Sequence, residues 1–167
     1  MQLVLPTLKY KQEYLSALKE SEREIGETQL NKPAPNQSFK KFVIQLIDFS
    51  RGKNLPNGYV PATMYWLIDN DEVIGRVQIR HVLNDYLLNY GGHIGYYIKP
   101  SKRRMGYGRK ILKLSLIEAK KIGLKKVLLT CDEGNIGSQK IIESCGGVLK
   151  NIIKQTSDKP LTRRYWL

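Results

Sequence analysis

A chain of 167 residues, 41% of them hydrophobic, suits one domain, taken as residues 1–167, and can bury a core of its own. Its 28 Lys and Arg against 15 Asp and Glu give a formal charge of +13. The basic residues are spread along the chain and no recognition-helix, ribonucleoprotein or zinc-finger pattern gathers them, which argues against nucleic acid as partner.

No apolar run reaches about 18 residues, and Pro6 breaks any signal-peptide pattern, so a soluble cytoplasmic protein that makes no use of a membrane is expected. Two His, with Cys131 and Cys145 not spaced as ligands, predict no metal site and two free thiols packed as small core residues.

Residues 2–5 read as a first strand. Thr7 caps a helix that begins near Leu8 and carries Tyr10, Tyr14, Leu15, Leu18 and Ile25 on one stripe. Residues 26–38, with Pro33 and Pro35, form a loop. A second amphipathic helix covers residues 39–50, with Phe39, Phe42, Val43, Leu46 and Ile47 on its apolar face, and Gly52 ends it. After an irregular stretch, residues 62–68 and 72–81 predict a hairpin across the turn-forming Asp69-Asn70-Asp71. Residues 82–92 carry little pattern, and the double glycine Gly91-Gly92 suggests a bulge or a sharp turn into the next strand.

That strand, residues 94–98, ends at Pro100. A basic loop follows and then a helix over residues 110–122, with Leu112, Leu116, Ala119 and Ile122 on one stripe. Residues 127–131 form a short buried-type strand and a helix follows Asn135. Residues 148–155 and 162–167 close the chain as a strand pair around Ser157-Asp158-Lys159-Pro160. There is no internal repeat.

The loop between Pro100 and the third helix builds an anion site. Gly106 and Gly108 remove Cβ atoms where backbone N–H groups must approach a ligand, and the first helical turn adds unpaired donors and a positive dipole end. Lys102, Arg103, Arg104, Arg109 and Lys110 add charge, and a diphosphate fits. A Walker loop would need Lys-Ser or Lys-Thr after its last glycine, and a dinucleotide fingerprint a third glycine at 111, which is Ile. What remains, Arg103-x-x-Gly106-x-Gly108, resembles the pyrophosphate loop of the GNAT superfamily of acetyl-CoA-dependent N-acetyltransferases. A further element of that family lies downstream in register, with Asn135, Ser138 and the pair Gly146-Gly147.

The resemblance covers nearly the whole chain, although its specific motifs lie within residues 92–147. It implies an α/β (mixed α+β) GNAT fold: a twisted mixed central sheet of six to seven strands with helices on both faces. It implies an N-acetyltransferase that takes acetyl-CoA as cosubstrate, needs no metal, and lets a small-molecule or protein amine attack the thioester directly. The backbone of Tyr97, Ile98 and Lys99 would pair with the pantetheine arm. That of Arg104, Met105, Gly106, Tyr107, Gly108 and Arg109, after Arg103, would hold the pyrophosphate. Asn135, with Ser138 one turn on, would meet the pantetheine or its thiol end, and a backbone N–H near Ile98 would hold the oxyanion.

Relatives place a Tyr seven residues after the Asn as general acid; here that position is Ile142, which leaves Tyr96, Tyr107, Tyr165 or water. For the base, His93 starts the central strand where relatives often carry an acid, and an imidazole pKa near 6.5 suits the task. His81 is a weaker alternative, and Glu27 and Asp85 read as solvated loop acids. Residues 61–66 and 91–96 resemble a bacterial group of predicted acetyltransferases with unassigned acceptors. A homodimer is compatible with this reading. Ile142 also admits a second reading, a non-catalytic GNAT-like acyl-CoA sensor or interaction module.

Overall fold

The computed structural model describes residues 1–25 and 31–167. Glu27, the start of the expected loop at 26–38 and the side chain of Ile25 lie outside the described residues. The described chain runs β1 (Gln2–Val4), α1 (Lys11–Ile25), α2 (Phe39–Ser50), β2 (Ala62–Asp69), β3 (Glu72–Arg80), β4 (Ile94–Ile98), α3 (Tyr107–Lys121), β5 (Leu128–Asp132), α4 (Ile136–Ser144), β6 (Val148–Ile153) and β7 (Thr162–Trp166).

Local chemistry sets several boundaries. The Ser38 hydroxyl accepts the Lys41 N–H at 3.3 Å to start α2. Thr7 caps a separate 3₁₀ turn, Leu8–Tyr10, so the first helix is divided where one continuous helix was expected. Asn70 and Asp71 both take left-handed φ values, 47° and 60°, the geometry that turns β2 tightly into β3. α3 begins at Tyr107, three residues before its expected start, with Gly106 as cap.

The strands form two antiparallel sheets, β1-β2-β3-β4 and β5-β7-β6, in place of one continuous mixed sheet. Helices cover both faces of the first sheet, which is why no position of β2 or β3 is exposed. On one face Met64 and Trp66 pack against α1 and α2, with Tyr14 stacked on Trp66 at 4.3 Å and Phe39 and Phe42 around it. On the other, Leu67, Val77, Ile79, Ile94 and Ile98 pack beneath Ile111, Leu112 and Ala119 of α3. Cys131 and Cys145 are free, half-buried thiols beside this second core.

The two sheets touch at one corner. The His93 N–H donates to the Leu128 carbonyl at 2.7 Å, and the Leu128 N–H donates to His93 Nδ1 at 2.9 Å. Gly92 permits this approach: a Cβ there would lie 2.6 Å from the Leu128 carbonyl oxygen. The poorly patterned segment before it ends in a wide helical turn, Leu87–Gly91, rather than a bulge. Beyond the corner no ladder joins β4 to β5.

Candidate active site

The unpaired edges of β4 and β5 enclose a cavity of about 270 Å³, bordered by Gly95 and Tyr96 on one side, Thr130 and Cys131 on the other, and Asn135 and Ser138 of α4 at one end. Antiparallel pairing alternates, so only every second residue of β4 bonds to β3. Arg80 N–H donates to the His93 carbonyl and Lys99 N–H to the Ile74 carbonyl, which puts His93, Gly95, Tyr97 and Lys99 in the bonded phase. The peptide groups of Tyr96 and Ile98 therefore face the gap. This corrects two of three expected pantetheine contacts: the backbone of Tyr97 and Lys99 is spent within the sheet, and only Ile98 is placed to pair with an inserted arm. Tyr96, not among the expected contacts, also faces the gap.

A second cavity, about 640 Å³, continues from the gap over the basic loop and shares Tyr96, Asn135 and Ser138 with it. Gly106 sits at φ 82° as the cap of α3 with no side-chain acceptor, and the N–H groups from Arg104 to Arg109 have no hydrogen-bond partner among the described residues. Nothing lies within 4 Å of a Cβ built at Gly106, so its need for glycine is backbone conformation. Gly108 has a different reason: a Cβ there would lie 2.5 Å from Ile141 Cδ1, so it lets α3 and α4 pack.

Charge is distributed less evenly than the sequence suggests. Arg103, Arg104 and Arg109 line the loop cavity, joined by Lys140 of α4, which no motif marks. Arg103 Nε donates to the Ile98 carbonyl at 3.1 Å and its guanidinium lies over the Tyr97 ring. Lys99 and Lys102 turn away to Glu72, at 2.5 and 2.6 Å. The Met105 side chain is exposed outside the cavity, and Tyr107 points its hydroxyl to Asp69 at 2.8 Å, so neither side chain lines the loop cavity. Asn135 caps α4, its Oδ1 accepting the Ser138 N–H at 3.0 Å.

His93 does not fit the expected role of base. Its Nδ1 lone pair is occupied by the buried Leu128 N–H, so the ring carries its proton on Nε2 and has no lone pair free. Burial, and then the nearby Arg80, push its pKa below the usual histidine value, and it lines none of the cavities described. His81 is bonded to Thr63 Oγ1 at 2.8 Å and also lies outside the cavities, as does Asp85.

Of the tyrosines, Tyr165 bonds to Glu143 at 3.0 Å and Tyr107 to Asp69. Tyr96 borders the gap, as does Tyr90, and it shares the wall with the buried Ile142. Its hydroxyl is buried beside Ser138 without a hydrogen bond of normal geometry. Burial pushes this phenol up to about 12, with Ser138 acting in the opposite direction.

A further cavity, about 520 Å³, opens on the α2 face of the first sheet, where Arg76, Gln78 and Arg80 project from β3. No group of three or more His, Cys, Asp or Glu among the described residues is placed to hold a metal ion, and no described helix is long and apolar enough to cross a membrane.

Residues 21–148 match the family model described as the acetyltransferase (GNAT) domain. No curated protein sequence matches this chain significantly. Among solved structures, the chain superposes on an acetyltransferase from Salmonella typhimurium that modifies the N-terminal serine of ribosomal protein L7/L12, with TM-score 0.65 and 17% identity over 99% of this chain and 92% of that one. It also superposes on the microcin C7 self-immunity acetyltransferase MccE in complex with acetyl-CoA and AMP (TM-score 0.66, 18% identity, 99% and 90% covered). A third match is a spermidine N-acetyltransferase chimera of SpeG from Vibrio cholerae and hSSAT (0.63, 16%, 100% and 95%). At such identities these likenesses concern the fold.

Proposed function

This chain belongs to the GNAT acetyltransferase family, and from that premise we propose that it is one enzyme domain that moves an acetyl group from acetyl-CoA to an amine. The observation that carries this reading is the continuity of the β4–β5 gap with the N–H-rich basic loop. One runs into the other through Tyr96, Asn135 and Ser138. The diphosphate takes the unpaired N–H groups at the start of α3, with Arg103, Arg104, Arg109 and Lys140 around it. The pantetheine arm takes the free edge of β4 through Tyr96 and Ile98.

The thioester then lies in the gap, where an N–H of β4 faces the oxygen that becomes negative when the amine attacks. As the tetrahedral intermediate collapses, the C–S bond breaks and the thiolate takes a proton from the Tyr96 hydroxyl. This phenol stands in for the tyrosine that Ile142 replaces. Its raised pKa keeps it protonated at neutral pH, and water entering the gap after coenzyme A has left restores the proton. The attacking nitrogen arrives neutral and loses its second proton to water, since neither imidazole lines the gap. Tyr96 also weighs against a non-catalytic acyl-CoA sensor, because such a module has no use for a proton donor at the thiol end.

Calorimetric titration with acetyl-CoA and with its 3′-dephospho analogue tests the binding step. Saturable micromolar binding is expected, and its absence would reduce the glycine loop to a helix cap and remove the enzyme reading.

A further inference from the structure

Resting on this acetyl-transfer reading, we infer that the acceptor is a small amine carrying an oxyanion, a carboxylate or a phosphate, which the Arg80 guanidinium binds in the cavity on the α2 face. Arg76, Gln78 and Arg80 project into this cavity from alternate positions of β3, and no Asp or Glu is among its described lining residues. Arg80 is fixed by one edge only: Nη1 donates to the carbonyls of Gly91 and Gly92, at 2.9 and 3.0 Å. Its Nε and Nη2 have no hydrogen-bond partner among the described residues. A guanidinium held rigidly by one nitrogen offers the rest of its planar fork to a carboxylate or phosphate.

Position ties this cation to the reaction. Gly95 lines the gap, and both Nη atoms of Arg80 lie 3.8 Å from where its Cβ would stand. Having no side chain at that point leaves the way from the guanidinium to the gap open. An oxyanion on Arg80 therefore points the amine of the same molecule at the gap. Nearby positive charge also disfavours the ammonium form, so the acceptor nitrogen is more readily neutral without a dedicated base. A polyamine meets like charge from Arg80, and no carboxylate is among the described lining residues.

The test compares acetylation of β-alanine with its amide, and of 2-aminoethyl phosphate with ethanolamine, with spermidine as the cationic arm. At least about a tenfold higher kcat/KM for the anionic member of one pair is expected, as a charge-assisted bond implies, and the preferred pair tells carboxylate from phosphate. Arg80→Gln should remove that preference with acetyl-CoA affinity unchanged. Because this variant also frees the Gly91–Gly92 carbonyls, Gln78→Glu provides a second arm: it keeps the clamp and should lower kcat/KM for the anionic amine alone. Better turnover of the uncharged amines or spermidine, turnover of neither anionic amine, or equal losses within a pair in both variants overturns the inference. Acetyl-CoA binding with turnover of uncharged amines would leave the acetyltransferase standing; no acetyl-CoA binding would remove both.

Discussion

Replacing His93 by alanine is expected to weaken the fold while leaving acetyl transfer nearly intact. The ring accepts the Leu128 N–H at the corner where the backbones of the two sheets meet, and Leu128 is fully buried. Leaving a buried donor unpaired costs about 1–3 kcal/mol. Loss of the edge-on contact with Trp166, centroids 6.4 Å apart, adds roughly 0.5–1.5 kcal/mol. In a domain of this length each kcal/mol moves Tm by about 2–4 °C, so a drop on the order of 5–15 °C follows.

The pH dependence has a definite sign. His93 titrates below its ordinary value in the folded state, so on acidification the unfolded chain takes up this proton first. Its contribution to stability is present above about pH 6.5 and is lost as pH falls through the folded pKa, at up to about 1.4 kcal/mol per pH unit. His81 shifts in the same direction by burial, so the difference between wild type and variant isolates His93. Thermal unfolding from pH 5 to 8, beside kcat and its pH profile, reads both effects. A variant with unchanged Tm, a kcat about 100-fold lower and no acid limb in its rate profile would refute the structural role and restore the imidazole as base.

Gly106→Glu is expected to abolish acetyl-CoA binding, because a non-glycine residue at φ 82° is strained and its carboxylate enters the anion site; unchanged affinity in calorimetry would sink the loop assignment. Gly108→Ala should cost about 1–3 kcal/mol by pressing on Ile141 and should weaken acetyl-CoA; pairing it with Ile141→Ala should recover part of both losses, and no recovery would mean that helix packing is not its reason. Tyr96→Phe removes a buried hydroxyl with no partner, so Tm should hold or rise slightly while kcat falls about 100-fold at similar KM. An undiminished kcat would assign the proton to water.

What was legible in the sequence was local. The bounds of α2 follow from Ser38, Gly52 and a clean apolar stripe, and the basic loop from its glycines and the strand before it. What escaped depends on partners far along the chain. His93 reads as a titrating side chain until Leu128, 35 positions away, occupies its lone pair. Lys102 reads as part of the anion site until Glu72 draws it off. Arg76, Gln78 and Arg80 alternate with Val77 and Ile79, the pattern of a strand with one solvated face, yet α1 and α2 cover that side and turn it into a cavity. Nothing before the pairing of β4 was known could show which of its peptide groups remain free.

The distribution of unmet hydrogen-bonding groups separates a ligand site from a basic helix cap. A solvated turn at the start of α3 would leave donors free only there, where water satisfies them. In this chain the unpaired groups extend from the loop along the facing edge of β4 to the Tyr96 hydroxyl, which is buried away from water. A β4–β5 ladder would have satisfied the strand edge, and the corner at His93 and Leu128 shows that the two strands approach closely enough to begin one. The ladder stops there, and the stability it would have supplied falls to the two cores above and below the first sheet. Donors left open in one continuous path, framed by four cations and ending at a protonated phenol, match a long molecule with a diphosphate at one end and a thioester at the other.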